Sequence, residues 1–341
     1  MPNDVETSEN NIERIAIDHC GTIRSFYDAY TDNINGRAGE QINTRKHTLI
    51  QPMKCILTNG QAPECENLLR FIDIDHQQRL SILLGLTNAT GIASLINYPN
   101  IIDKNTRFLY IYQESRRESV VDNRSRLTNA LQSLNCIAYA THIITEIIWG
   151  LHILVILQLS SYQVESIDTV LHKLKNNIVD RQPMTQINSH ERNLLEQIVT
   201  TTVYSNIDTL TKLNKFEYIY EKIKGLEGNN NLHGQLKYIL SPIPCFFRLI
   251  IRFLPQLVLC KSNELETLEH YLIQQKSELK LLKFHINHHL CDLLQGKCAT
   301  QLEKIQNQLS QLQHLHNINA QNFASMVINI RKGLQDSLMT R

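Results

Sequence analysis

The apolar run from Ile143 to Leu159 constrains this chain more than any other segment. A helix that crosses a bilayer needs about 20 predominantly apolar residues, and this run is shorter and carries Glu146, His152 and Gln158. Its wealth of isoleucine and valine suits a strand, and a strand that is apolar at consecutive positions is covered on both faces. The expectation is a long central strand from Ala140 to Trp149 and beyond, with His142 and Trp149 buried and Gly150 near a bend.

The rest of the composition supports globular material of about two domains: 341 residues, 42% hydrophobic and 20% charged. Lys plus Arg is 34 and Asp plus Glu 33, a formal net charge of +1, so no field gathers nucleic acid. Arg107, Arg116, Arg117, Arg124 and Arg126 cluster, but Asp103, Glu114, Glu118 and Asp122 lie among them, which reads as a solvated face of mixed charge. The first twenty residues contain no apolar run, and a cytoplasmic location is the default expectation, with non-classical secretion or membrane association left open. The eight cysteines contain no Cys-x-x-Cys pair and are expected to be free thiols. Asn88 and Asn123 stand in glycosylation sequons that read as chance matches.

Along the chain, residues 1–12 read as a disordered tail. Short β-prone segments follow at Ile15–Ile17, Ile23–Tyr27, Cys55–Thr58, Phe71–Ile74 and Arg107–Tyr112, cut by Asn, Gly and Pro turns. Ile167, Val170, Leu171, Leu174 and Ile178 recur at helical spacing, as do Leu194, Leu195, Ile198 and Val199. Gly225 to Gly234 is the clearest loop. Beyond Pro244 three apolar stripes repeat at helical spacing: Leu265 to Ile286, Leu302 to Leu312, and Phe323 to Leu334. With the segment 244–260 they make about four helices, most economically an antiparallel bundle, with a coiled-coil dimer as the alternative.

Catalytic motifs are missing. Gly296-Lys297 lacks the upstream glycine of a phosphate loop, and no His-Glu-x-x-His or Gly-x-Ser-x-Gly occurs. His285, His288 and His289 share a helix face at zinc-ligand spacing, although a polar helix end explains them as well. Glu146 and His152 share strand parity, and buried polar groups of this kind usually satisfy one another or the backbone. No catalytic, cofactor-binding or small-molecule site is assigned.

Tyr139-Ala140-Thr141-His142, then six residues, then Trp149-Gly150-Leu151 resembles the aromatic-Gly-Thr-His signature of the membrane-attack-complex/perforin and cholesterol-dependent-cytolysin (MACPF/CDC) superfamily. Tyr139, Thr141, His142 and Gly150 match it, whereas Ala140 and Leu151 replace its first and last glycines. Gly21 to Asp32, with Tyr27, Asp28, Ala29 and Thr31, is similar to the opening motif of the stonustoxin-like branch. Ser81 to Leu95, Lys104 to Thr128 and Leu240 to Ile243 follow in that family's order. The resemblance implies an α+β chain, a bent central sheet with flanking helices over 13–238, followed over 239–341 by an all-α antiparallel bundle like a focal-adhesion-targeting domain. The thioredoxin-like and PRY-SPRY domains that stonustoxins carry have no counterpart here. In the superfamily two helical clusters unwind into membrane hairpins. Residues 80–98, with Leu80, Ile82, Leu84 and Leu86 on one parity, fit the first; 164–192, charged and helical in period, fit the second poorly. The expected function is a non-enzymatic oligomerising or interaction protein of pore-forming ancestry, with an active pore former as the alternative. Its expected partners are further copies or another protein, and a lipid membrane is the further candidate.

Overall fold

The computed structural model describes residues 11–18, 20–37, 43–120, 140–180, 187–226, 229–243, 257–293 and 299–335, the side chains of 230, 287–293 and 299–302 apart. The apolar run is a strand, His142–Leu159, and none of the described helices is long and apolar enough to cross a membrane. In chain order the strands are β1 (Ile12–Ile15), β2 (Ser25–Asp28), β3 (Asn33–Arg37), β4 (Thr44–Thr48), β5 (Lys54–Asn59), β6 (Thr106–Val120), β7 (His142–Leu159), β8 (Ile198–Ser205) and β9 (Gly234–Pro242), all in one sheet. Helices α1 (Leu68–Phe71) and α2 (His76–Leu83), with a 3-10 stretch Gly91–Asn97, connect β5 to β6. Between β7 and β8 lie α3 (Val164–Val179) and α4 (Ser189–Leu195), and between β8 and β9 lie α5 (Asp208–Thr211) and α6 (Phe216–Leu226). Two long helices follow, α7 (Ser262–Leu293) and α8 (Ala299–Arg331).

Both edges of β7 are occupied along its length. On one edge it pairs antiparallel with β6, from Glu146 opposite Ser119 to Gln158 opposite Thr106, and β2 takes over at His142 and Ile143. On the other edge β9 pairs with residues 142–150 and β8 with residues 153–159. Both faces are covered too. Leu151, Ile153, Val155 and Leu157 pack with Ile167, Val170, Leu171 and Leu174 of α3, while Leu154 and Ile156 pack with Ile82, Ile92 and Leu95. That double coverage is the physical reason for a continuous apolar strand.

Several local expectations change. Phe71–Ile74 is no strand: Phe71 ends α1, whose cap Asn67 accepts from the Arg70 amide at 3.1 Å. Ile198 and Val199 leave the helical pattern and begin β8, because the capping box of Asn188 and Glu191 starts α4, which ends at Leu195. The helical stripes at Leu302–Leu312 and Phe323–Leu334 belong to one helix, α8, up to its stop at Gly333, so these two expected helices are one, and α7 and α8 form an antiparallel pair; of the further helix expected over 244–260, residues 244–256 lie outside the described residues. Arg107 does not lie on a solvated face; it is buried in a two-pronged pair with Asp168 at 2.7 and 2.8 Å. Arg124, Arg126 and Asp122 lie outside the described residues. Trp149 is half-buried, with the Arg116 guanidinium 4.7 Å above its ring.

Candidate functional site

The two sequence motifs, more than a hundred residues apart, meet at the start of β7. Tyr27 pairs with His142 across the β2–β7 ladder. The Thr141 hydroxyl donates its one proton to the Tyr27 carbonyl at 3.2 Å and accepts the Ala29 amide at 2.8 Å. The same hydroxyl oxygen lies 2.8 Å from His142 Nδ1. Burial, then the nearby Arg14 charge, push the His142 pKa down to about 4 against the opposing pull of Asp32, so the ring is neutral. Tyr139 lies outside the described residues.

Each remaining residue of the opening motif has a local task. Asp28 accepts from the Tyr30 amide at 2.9 Å and the Thr31 hydroxyl at 2.7 Å, closing a side-chain turn. Ala29 sits in that turn fully buried. Asp32 follows in left-handed backbone, φ 57°, a conformation aspartate tolerates better than most residues. At Gly21 a Cβ would come within 2.5 Å of the Tyr238 ring, whose hydroxyl accepts the Gly21 amide at 3.0 Å.

That turn aims the Asp32 carboxylate into a wholly buried hub. Oδ1 accepts from Arg14 Nε at 2.7 Å and the Tyr27 hydroxyl at 3.0 Å; Oδ2 accepts from the Ser81 hydroxyl at 2.5 Å and Arg331 at 3.3 Å. Burial works to raise the Asp32 pKa, but Arg14 and Arg331 outweigh it and hold the carboxyl below its ordinary value. Arg331 also reaches the carbonyls of Tyr30 at 2.8 Å and Gln77 at 2.7 Å. It is the last residue of α8, held there by a Schellman stop in which Gly333 and Leu334 amides return to the Ile330 and Asn329 carbonyls, each at 2.8 Å.

α2 lies at the centre of these contacts and is buried on most sides. Gln78 pairs with the Ile15 backbone like a strand neighbour, accepting at 2.9 Å and donating at 2.8 Å. Arg79 grips Glu269 of α7 with both prongs, at 2.5 and 2.9 Å. Gln77 donates to the Cys260 carbonyl at 3.0 Å. On its apolar side Leu80 and Leu84 join Leu265, Leu268, Leu272, Val327 and Ile330 of the C-terminal helices. Residues 80–98, whose parity suited a hairpin, are thus folded as helix and 3-10 turns between the sheet and the C-terminal pair.

Gly150 stands where the second edge of β7 changes partner from β9 to β8. A Cβ there would fall 1.8 Å from the Gln113 carbonyl oxygen, and at its partner Gly234 2.2 Å from the Asn206 carbonyl oxygen. Asn206 bridges the gap in the ladder: its side chain donates to the carbonyls of Gly150 at 3.0 Å and Gln235 at 3.1 Å and accepts from the His152 amide at 2.9 Å. Leu151, in place of the last signature glycine, points into the apolar face and is buried, so glycine is needed at 150 and not at 151.

The other candidates separate. Glu146 pairs with Arg117 at 3.5 Å, whereas His152 Nε2 is 3.1 Å from the Ile72 carbonyl oxygen, so the two form no site. His285 is exposed on α7; the side chains of His288 and His289 lie outside the described residues. Arg14, Glu269 and Arg331 were not singled out in the sequence, and a pair 299 residues apart such as Asp32 and Arg331 leaves no periodic trace.

In structure the chain is similar to stonustoxin, with a TM-score of 0.55 at 14% identity over 95% of this chain and 43% of that one. GNIP1Aa from Chromobacterium piscinae follows at 0.30 and 10% identity, over 77% of this chain and 54% of its own. The sugar-binding protein pneumolysin stands at 0.25 and 12%, over 58% and 40%. The chain thus spans less than half the length of stonustoxin. No protein-family profile and no curated protein sequence matches it. The α+β fold is stonustoxin-like, as the motifs implied.

Proposed function

We propose that the chain is a non-enzymatic interaction protein that self-associates on a stonustoxin-like scaffold of pore-forming ancestry, with its first mobile-hairpin segment fastened shut. The observation that carries this reading is the fastening of α2 to the C-terminal helices by the buried Arg79–Glu269 pair and by Arg331, which donates to the Ser81 hydroxyl at 2.8 Å and the Gln77 carbonyl at 2.7 Å. A hairpin built from residues 80–98 has to pull Ser81 from Asp32 and Arg331 and strip Leu80 and Leu84 from the C-terminal helices, and emptying the place of one buried leucine costs about 2–5 kcal/mol. The second segment is held by Arg107 with Asp168 and Lys173 with Glu191. Its lysines and arginines would each cost about 2–4 kcal/mol on a lipid-facing strand at mid-membrane. The chain reads as a perforin-like unit that runs to the sheet's last strand, followed by a helical unit that acts as its clasp.

One observation favours the second reading, an active pore former. Both helical clusters leave the sheet at the same end, where Asn59, Arg107, Leu157 and Thr201 lie side by side in successive strands. That is the arrangement from which two neighbouring hairpins extend.

Sedimentation velocity and dye release from mixed-lipid vesicles on one preparation separate the readings. Concentration-dependent self-association without leakage is the expected outcome. Robust leakage by the purified chain promotes the pore-forming reading.

A further inference from the structure

A cavity of about 910 Å³ opens between α7 and the segment 95–102 and has no part in the hub around Asp32. Its size is that of a small-molecule or cofactor site, about 300–1,000 Å³. Leu95 and Ile102 form one aliphatic wall and Ile273 and Leu279 the other. Into this apolar trough α7 directs Lys276, Lys280 and Lys283, spaced at i, i+4 and i+7 on one helix face.

None of the three lysines is paired with a carboxylate among the described residues. Lys276 donates to the Asn97 side-chain oxygen at 3.3 Å, and the Lys280 ammonium lies 4.9 Å from the Tyr98 ring centroid. His316 faces them from α8, its Nδ1 3.0 Å from Gln275 Oε1, and Glu66 is the sole carboxylate in the lining. Burial and then Lys276 push the Lys280 pKa down to about 8; burial and then Lys283 lower that of Lys276. The cations repel one another over an aliphatic floor, and an anion there would relieve them.

We propose that this groove binds an amphipathic phosphate-bearing molecule, a phospholipid with a phosphate monoester headgroup, its phosphate on the three ammonium groups and its acyl chain along the aliphatic walls. Lysine serves phosphate as a point charge without demanding a fixed fork geometry. The pairing of charge with a long apolar wall favours a lipid over free phosphate, which has no use for the wall. The inference stands on the groove alone and holds whether or not the chain self-associates or releases dye.

The test is calorimetric titration of the 341-residue chain with short-chain dihexanoyl phosphatidic acid, dihexanoyl phosphatidylcholine and inorganic phosphate. Phosphatidic acid is expected to bind at least tenfold tighter than either. Combined Lys276→Gln, Lys280→Gln and Lys283→Gln should weaken it at least tenfold, whereas Lys212→Gln, Lys215→Gln and Lys261→Gln, removing equal charge from exposed positions, should not. In the unmodified sequence, the Lys280 amine followed by NMR after reductive methylation should titrate above about 8 once phosphatidic acid is added. Equal affinity for inorganic phosphate, equal losses in both triple variants, or an unmoved Lys280 titration would each overturn the proposal.

Discussion

Asp32 carries the largest local consequence because it is the buried carboxylate that two buried guanidinium groups share. Asp32→Asn keeps the shape and removes the charge, leaving Arg14 and Arg331 without their common counter-ion. The expected loss is about 3–5 kcal/mol, read as a fall in the urea midpoint. His142 adds a pH dependence whose sign follows from its pKa, lowered from 6.5 to about 4. Below pH 6.5 the unfolded chain takes up a proton that the folded chain refuses, so stability falls as pH falls toward 4 and is fully present above 6.5. At about 1.4 kcal/mol per pKa unit, the whole effect is about 3 kcal/mol. His142→Gln should flatten the stability profile across that window, measured by denaturation at successive pH values. The depressed Asp32 carboxyl acts in the same sense further down, its contribution lost as pH drops through its folded value.

At the scale of elements, the change of partner along β7 depends on absent side chains at Gly150 and Gly234 and on the Asn206 bridge. Gly150→Ala places a methyl carbon against the Gln113 carbonyl, a backbone atom that cannot swing aside. We expect a loss of about 3 kcal/mol or more, measured by thermal or urea unfolding. The C-terminal pair gives a graded counterpart. Leu272 is fully buried against α2 and α8, and Leu272→Ala should cost about 2–5 kcal/mol. Leu282, expected from its periodicity to be equally buried, is only half-buried, so Leu282→Ala should cost clearly less in the same assay. Periodicity made β7, α3 and the helical C-terminal part legible in the sequence, because each buries a stripe or face of constant character. It failed at α2, where Leu80 and Leu84 satisfy both a strand's parity and a helix's i, i+4 spacing, and the deciding partners are Glu269 and Arg331 far along the chain. It also failed at Ile198, where an apolar stripe continues across a helix end into a strand.

For the molecule as a whole, the opening motif and the Thr-His signature were legible as motifs, but not their purpose, which is to lock to each other and to deliver Asp32 to α8. In the proposed state residues 80–98 stay folded under the C-terminal helices. Amide hydrogen exchange across His76–Leu83, with and without mixed-lipid vesicles, measures this directly. Global protection of α2 should be unchanged by vesicles in the unmodified chain. Glu269→Gln combined with Arg331→Gln, which removes the clasp, should increase its exchange even without vesicles. Loss of α2 protection in the unmodified chain on adding vesicles, with simultaneous dye release, would contradict the account.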